Sequence, residues 1–201
     1  MLLGKIVRSN SHTDYVCQVY GPGEVQCCPT PRDHAFGTFV RIALPTQPTS
    51  WLVGLIYDTV LLNPDFGRLG PRLSPQTELA VFSPDYLNEK AILVGITTVG
   101  TLTADGRATQ GVPPVAAMTD ALVERMADDE VRVFHNAASI LNLAYAPLLL
   151  SRGTPLAPHL LRAILSQLSD LLTDPAQAAL LALVQDDLLW QSQIGILGGT
   201  A

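Results

Sequence analysis

The chain has 201 residues, enough for one large domain or two small ones, and its 48% hydrophobic and 15% charged content lets it bury a core rather than stay disordered. The net charge of −6 is uneven: residues 1–117 hold eight Lys or Arg against nine Asp or Glu, and residues 118–201 hold four against nine. Neither part has the positive excess of an autonomous nucleic-acid binder, no apolar run reaches the ~20 residues of a membrane span, and Cys17, Cys27 and Cys28, an odd set with no signal-like stretch before them, point to a reducing cytoplasm.

In chain order, residues 1–8, MLLGKIVR, predict a first strand, and YVCQVY at 15–20 a second, with Tyr15, Cys17 and Val19 on one face. Gly21-Pro22-Gly23 closes that strand in a turn. FGTFVRIAL at 36–44 predicts the third, with Thr38, Val40 and Ile42 turned inward. Residues 51–58, WLVGLIYD, form the stretch around which the others arrange. Both of its faces are apolar, as in a strand buried on two sides or closing a barrel, and Gly54 suits a bend or a close backbone approach. The region from about residue 62 to residue 84 is rich in Pro and Gly and predicts a long loop, with a helical turn at 74–78 and a short strand at 79–82. AILVGITTVGTL at 91–102 is the last clear strand, Gly95 and Gly100 serving as bend points, and residues 103–114 predict a linker.

From about Ala116 the pattern turns helical. Asp128 predicts an N-cap, with Asp129 and Glu130 near the positive end of a helix that runs to about His135. Residues 143–150 are apolar and interrupted by Pro147. Thr154-Pro155 opens the next helix, whose stripe is Leu160, Leu161, Ile164, Leu165, Leu168, Leu171 and Leu172. Asp174-Pro175 repeats this start for a final helix striped by Leu180, Leu183, Val184 and Leu188, before a frayed tail marked by Gly195, Gly198 and Gly199. The expected fold class is therefore α+β: a small closed β-barrel of about six strands over residues 1–115, then a helical extension over 116–201 containing an antiparallel helical hairpin.

The glycine-marked phrases Gly4, Gly37-Thr38-Phe39-Val40, Val53-Gly54-Leu55-Ile56 and Val94-Gly95-Ile96, with the exit QGVPP, resemble the HAS-barrel domain. That domain is the small N-terminal barrel of HerA-type DNA-translocating ATPases and of ATP synthase catalytic subunits. The resemblance covers residues 1–115 and implies a barrel that helps assemble an oligomer, with a HerA-like ATPase or a nuclease it serves as a partner. The whole chain also resembles a bacterial family of stand-alone barrel proteins, cyanobacterial in flavour. The ATPases continue into a P-loop core, whereas this chain has no G-x-x-x-x-G-K-[ST], so ATPase activity does not carry over.

Little else carries chemistry. His12, His34, His135 and His159 sit in no zinc-binding spacing, and Cys17, Cys27 and Cys28 with His34 read as isolated thiols and a histidine rather than a metal set. The sequence thus assigns no catalytic residue, cofactor or metal, and the expected function is a non-enzymatic interaction or assembly protein that binds a protein partner or itself. The candidate surface comprises Asp65, Phe66, Arg68 and Arg72 in the long loop and Leu161, Leu165, Leu168 and Leu172 on the hairpin, since two helices have little core of their own. Two alternatives stay open. One is a barrel for single-stranded nucleic acid or a nucleotide, with Tyr20, Phe36, Phe39, Trp51 and Tyr57 as stacking rings. The other is an enzyme using the 62–90 loop, with Asp58, Asp65 and Asp85 for acid–base work or magnesium.

Overall fold

The structure is a computed structural model that describes residues 1–63, 91–137, 140–151, 155–172 and 174–197. Its strands are β1 (Leu2–Ser11), β2 (Asp14–Val19), β3 (Phe39–Ala43), β4 (Ser50–Leu62), β5 (Ala91–Thr103), β6 (Ala108–Gln110) and β7 (Leu122–Arg125). Helix α1 (Asp128–His135) follows, then the short pair β8 (Asn136–Ala137) and β9 (Ile140–Leu141). Helices α2 (Ala146–Ser151), α3 (Ala157–Leu171) and α4 (Pro175–Leu197) complete the described chain.

Six strands close into an antiparallel ring in the order β1, β2, β5, β4, β3, β7 and back to β1. The period-two pattern sets the interior. Leu3 and Ile6 of β1, Tyr15 and Cys17 of β2, and Val40 and Ile42 of β3 all fill the barrel, each no more than 2% exposed. β4 divides between two cores as its sequence demands: Leu52 and Ile56 point inward, while Val53 and Leu55 join a second cluster outside the barrel.

The glycines inside strands mark close approaches, and the β4–β5 register also shifts at Gly54, Gly95 and Gly100. A Cβ on Gly4 would lie 2.0 Å from the Gln18 carbonyl oxygen, one on Gly54 2.6 Å from Ile96 Cγ2, and one on Gly100 2.2 Å from the Thr109 carbonyl oxygen. The last of these packs β6 against β5, so the stretch expected to be a linker contains a hairpin, turned at Gly106 with φ of 81°.

The largest correction lies in residues 116–127, expected to begin the helices. Leu122–Arg125 is instead the strand that closes the ring, with Val123 fully buried in the barrel. Helix α1 begins one residue earlier than expected: Ala127 is the N-cap and Asp128 is the first helical residue, while the Glu130 carboxylate accepts the Ala127 amide at 2.8 Å.

α3 keeps the predicted stripe, with Leu160, Leu161, Ile164, Leu165 and Leu168 buried and Pro158 in its first turn. In α4, Leu181 is the residue buried in the second cluster, whereas Leu180 and Leu183 are 43% and 67% exposed. The helix also continues through Gly195 to Leu197, past the expected start of the tail. Together the four helices cover the outer face of β3, β4 and β5 at Phe39, Val53, Leu55 and Val99. Among the described residues no helix is long and apolar enough to cross a membrane.

Candidate functional site

Of the expected interaction residues, Asp65, Phe66, Arg68 and Arg72 lie outside the described residues, as do Asp85 and the expected turn at 74–78 and strand at 79–82. Leu161, Leu165, Leu168 and Leu172 are 2%, 0%, 0% and 8% exposed. The barrel presents an apolar outer wall to them, and covering it removes all four from solvent, so they form no free surface in the folded chain. Asp58 is exposed, and its Oδ1 accepts the Thr59 amide at 2.8 Å.

The candidate stacking rings do not form one platform. Phe39 is buried, the Arg41 guanidinium lies 5.0 Å from the ring of Trp51, and Tyr57 is packed on the barrel wall. Burial pushes the Cys17 thiol up to about 12, which leaves it protonated at neutral pH and unsuited to nucleophilic work. Among the described residues no three His, Cys, Asp or Glu side chains converge as metal ligands.

Three depressions stand out among the described residues. One is an open groove of about 560 Å³ where the barrel entry at Phe36 and Gly37 meets the end of β7 at Arg125, the start of α1 at Asp128, and the flank of α3 at Ala163 and Asp170. It is built by a close approach: Gly37 has φ of 86°, and a Cβ there would stand 3.0 Å from the Ala163 Cβ. Phe36, 40% exposed, forms an aromatic lip. A second depression of about 470 Å³, with Met1 and Glu130, extends it through the shared Arg125, Met126 and Asp128.

The linings of the groove and its extension carry Asp128, Glu130 and Asp170 against Arg41 and Arg125. Arg125 reaches the Asp33 carboxylate at 3.3 Å, and Arg41 grips Glu124 at 2.6 Å through Nε and also pairs with Glu130. Asp33 is held below the usual carboxylate range chiefly by the Thr30 hydroxyl and amide, with Arg125 adding to the effect. Asp128 and Asp170 line the groove wall.

The third depression is a cleft of about 70 Å³ between the barrel and the helices, lined by Asp14, Tyr57, Thr97, Leu149, Leu156, Ala157 and Leu160. Its floor follows from strand register. Asp14 on β2 stands opposite Thr97 on β5, and Thr97 opposite Leu55 on β4. Tyr57 crosses β5 above Gly95, where a Cβ would lie 2.9 Å from its Cζ, and donates its hydroxyl to Asp14 Oδ1 at 2.8 Å. Thr97 is 1% exposed, and its Oγ1 has no hydrogen-bond partner among the described residues.

A buried polar pair that sequence reading passed over sits in the second cluster. His135 is fully buried, its Nδ1 2.7 Å from the Val131 carbonyl and its Nε2 2.8 Å from the Tyr145 hydroxyl. A carbonyl only accepts, so Nδ1 carries the proton and Nε2 accepts from Tyr145. Desolvation lowers the imidazole from 6.5 to about 4, so it is neutral at physiological pH, and Phe39 and Phe134 meet it edge-on at 5.0 and 5.1 Å. This is a satisfied core histidine tying α1 to α2. Its signal in the sequence is only a histidine on the buried face of α1, with a tyrosine ten residues on.

A family model described as a domain of unknown function (DUF8166) matches residues 1–197. No curated protein matches the chain.

Proposed function

The chain belongs to the DUF8166 family, and from this premise we propose that it is a non-enzymatic interaction protein that holds a segment of a protein partner in the groove between the barrel, α1 and α3. The observation that carries the reading is that groove itself: about 560 Å³, open, with the half-exposed Phe36 beside the carboxylates Asp128 and Asp170. Its size suits a few side chains of an extended segment. Its charge favours a basic one, since its lining holds Asp128 and Asp170 against Arg125, which is already paired with Asp33. The same charge weighs against nucleic acid as the occupant.

The resemblance of the strand phrases to the HAS-barrel makes a HerA-like ATPase the first partner to test. The free, adjacent Cys27 and Cys28 suit a reducing cytoplasm as the place of encounter.

The test is site-specific photocrosslinking from Gln167, on the groove wall, in cells, followed by identification of the captured protein. The expected result is one recurrent partner whose yield falls at least about tenfold when Phe36→Ser and Asp170→Lys are combined, as truncation of an aromatic anchor and reversal of a rim charge would do. Diffuse capture, unchanged by those substitutions, would sink the reading. Capture of a single partner other than an ATPase would keep the groove and discard the HerA-like assignment.

A further inference from the structure

We propose that Cys27 and Cys28 form a thiol–disulfide exchange site for a small soluble disulfide of the glutathione type, with Cys27 as the attacking and Cys28 as the resolving thiol. The two thiols are adjacent and free, and they differ in setting. Cys27 is exposed, whereas Cys28 is half-buried and donates its S–H to the Tyr20 carbonyl at 3.5 Å, just past the end of β2. The third cysteine takes no part, since Cys17 is 0% exposed inside the barrel. An accessible thiol with a second one beside it is the arrangement that resolves a mixed disulfide within one chain.

Turns on either side place the pair. The first, from Gly21 to Val25, is closed by the Pro22–Val25 bridge and by the Gly21 amide donating to the Glu24 carboxylate at 2.5 Å. The second, from Thr30 to Asp33, is closed by the Thr30 amide and hydroxyl donating to the Asp33 carboxylate at 2.8 and 2.6 Å. Cys27-Cys28 lies in the short link between them, outside both. The pair lines neither the groove nor its extension, so its test stands apart from that of the groove.

The exchange balances with one oxidant. The Cys27 thiolate, its proton lost to water, attacks one sulfur of the soluble disulfide; that S–S bond breaks, and one thiolate leaves and takes a proton from water. Cys28 then leaves the Tyr20 carbonyl, loses its proton and attacks Cys27 Sγ, which expels the second thiolate. Two electrons pass from the cysteine pair to the soluble disulfide, which becomes two thiols. Adjacent Cα atoms stand ~3.8 Å apart, below the ~4.4 Å at which ordinary disulfides begin, so the new bond is strained and a dithiol reductant reopens it.

The test treats the full folded chain with limiting glutathione disulfide and follows it by intact mass and peptide mapping, beside Cys27→Ser and Cys28→Ser, which each keep a hydroxyl. The natural chain should lose two hydrogens, with the bond mapped to Cys27 and Cys28, and regain them with dithiothreitol. Cys28→Ser should hold one glutathionyl group on Cys27, and Cys27→Ser should take one up at least about tenfold more slowly. Any of four results would overturn the proposal: no reaction, a lasting glutathionyl group on the natural chain, equal uptake by the two variants, or a disulfide-linked dimer in place of the internal bond.

Discussion

Tyr57 reaches Asp14 only because position 95 carries no side chain. A methyl group there would sit 2.9 Å from Tyr57 Cζ and 3.2 Å from its hydroxyl oxygen, so Gly95→Ala must push the ring off the wall and break the 2.8 Å bond to Asp14. Urea denaturation should show a loss of about 1–3 kcal/mol for Gly95→Ala, against about 1 kcal/mol for Tyr57→Phe, which keeps the ring. A Gly95→Ala loss no larger than that of Tyr57→Phe would mean the ring has another resting place. His135 gives a pH test. Its folded value is lowered from 6.5 to about 4, so between those limits the unfolded chain binds a proton that the folded chain refuses. Its contribution is therefore complete above pH 6.5 and lost as pH falls toward 4, by at most about 3 kcal/mol. His135→Gln, which retains a donor and an acceptor, should flatten the stability–pH curve over that window, and an unchanged slope would assign the acid sensitivity elsewhere. Neither residue's role was legible in the sequence. That a ring packs over Gly95 was not readable, because what crosses a glycine is decided by a residue on another strand, here Tyr57.

At the scale of elements, α3 was legible and α4 only in part. The α3 stripe faces one wall, so helical spacing alone finds it: Leu160, Leu161, Ile164, Leu165 and Leu168 are all 3% exposed or less. α4 carries apolar residues around its whole circumference in PAQAALLALV, so spacing cannot choose which of them packs. The neighbour chooses, and it takes Leu181, fully buried, and the partly buried Val184. Leu181→Ala should cost about 2–4 kcal/mol in denaturant titration, and Leu183→Ala should stay within about 0.5 kcal/mol of the natural chain. Equal losses would restore the register expected from sequence. β7 was missed for a different reason. LVER is four residues long, and a strand so short is fixed by the two neighbours it joins, Leu2–Lys5 on one side and Val40–Ile42 on the other, rather than by its own pattern.

For the whole molecule, closure of the ring depends on residues beyond the stretch that resembles a HAS-barrel. A chain ending at residue 115 would lack Val123, fully buried among the interior side chains, and would leave β1 and β3 with open edges. It should show no cooperative thermal transition by circular dichroism, whereas the full chain should; a cooperative melt of residues 1–115 would show that the barrel can close without β7. The barrel class was readable because β1 to β5 each announce themselves by alternation and turn residues. The groove was not, because it joins Phe36, Arg125, Asp128 and Asp170 from four separate stretches. The antiparallel pairing of Lys5 with Leu122 also has a consequence in time. β1 must wait for a partner, β7, whose sequence is translated more than a hundred residues later. At ~5–20 residues per second, that interval lasts on the order of ten seconds. Through it β1 has β2 to pair with on one side and not yet β7 on the other, so that edge of β1 is exposed to mispairing until β7 emerges.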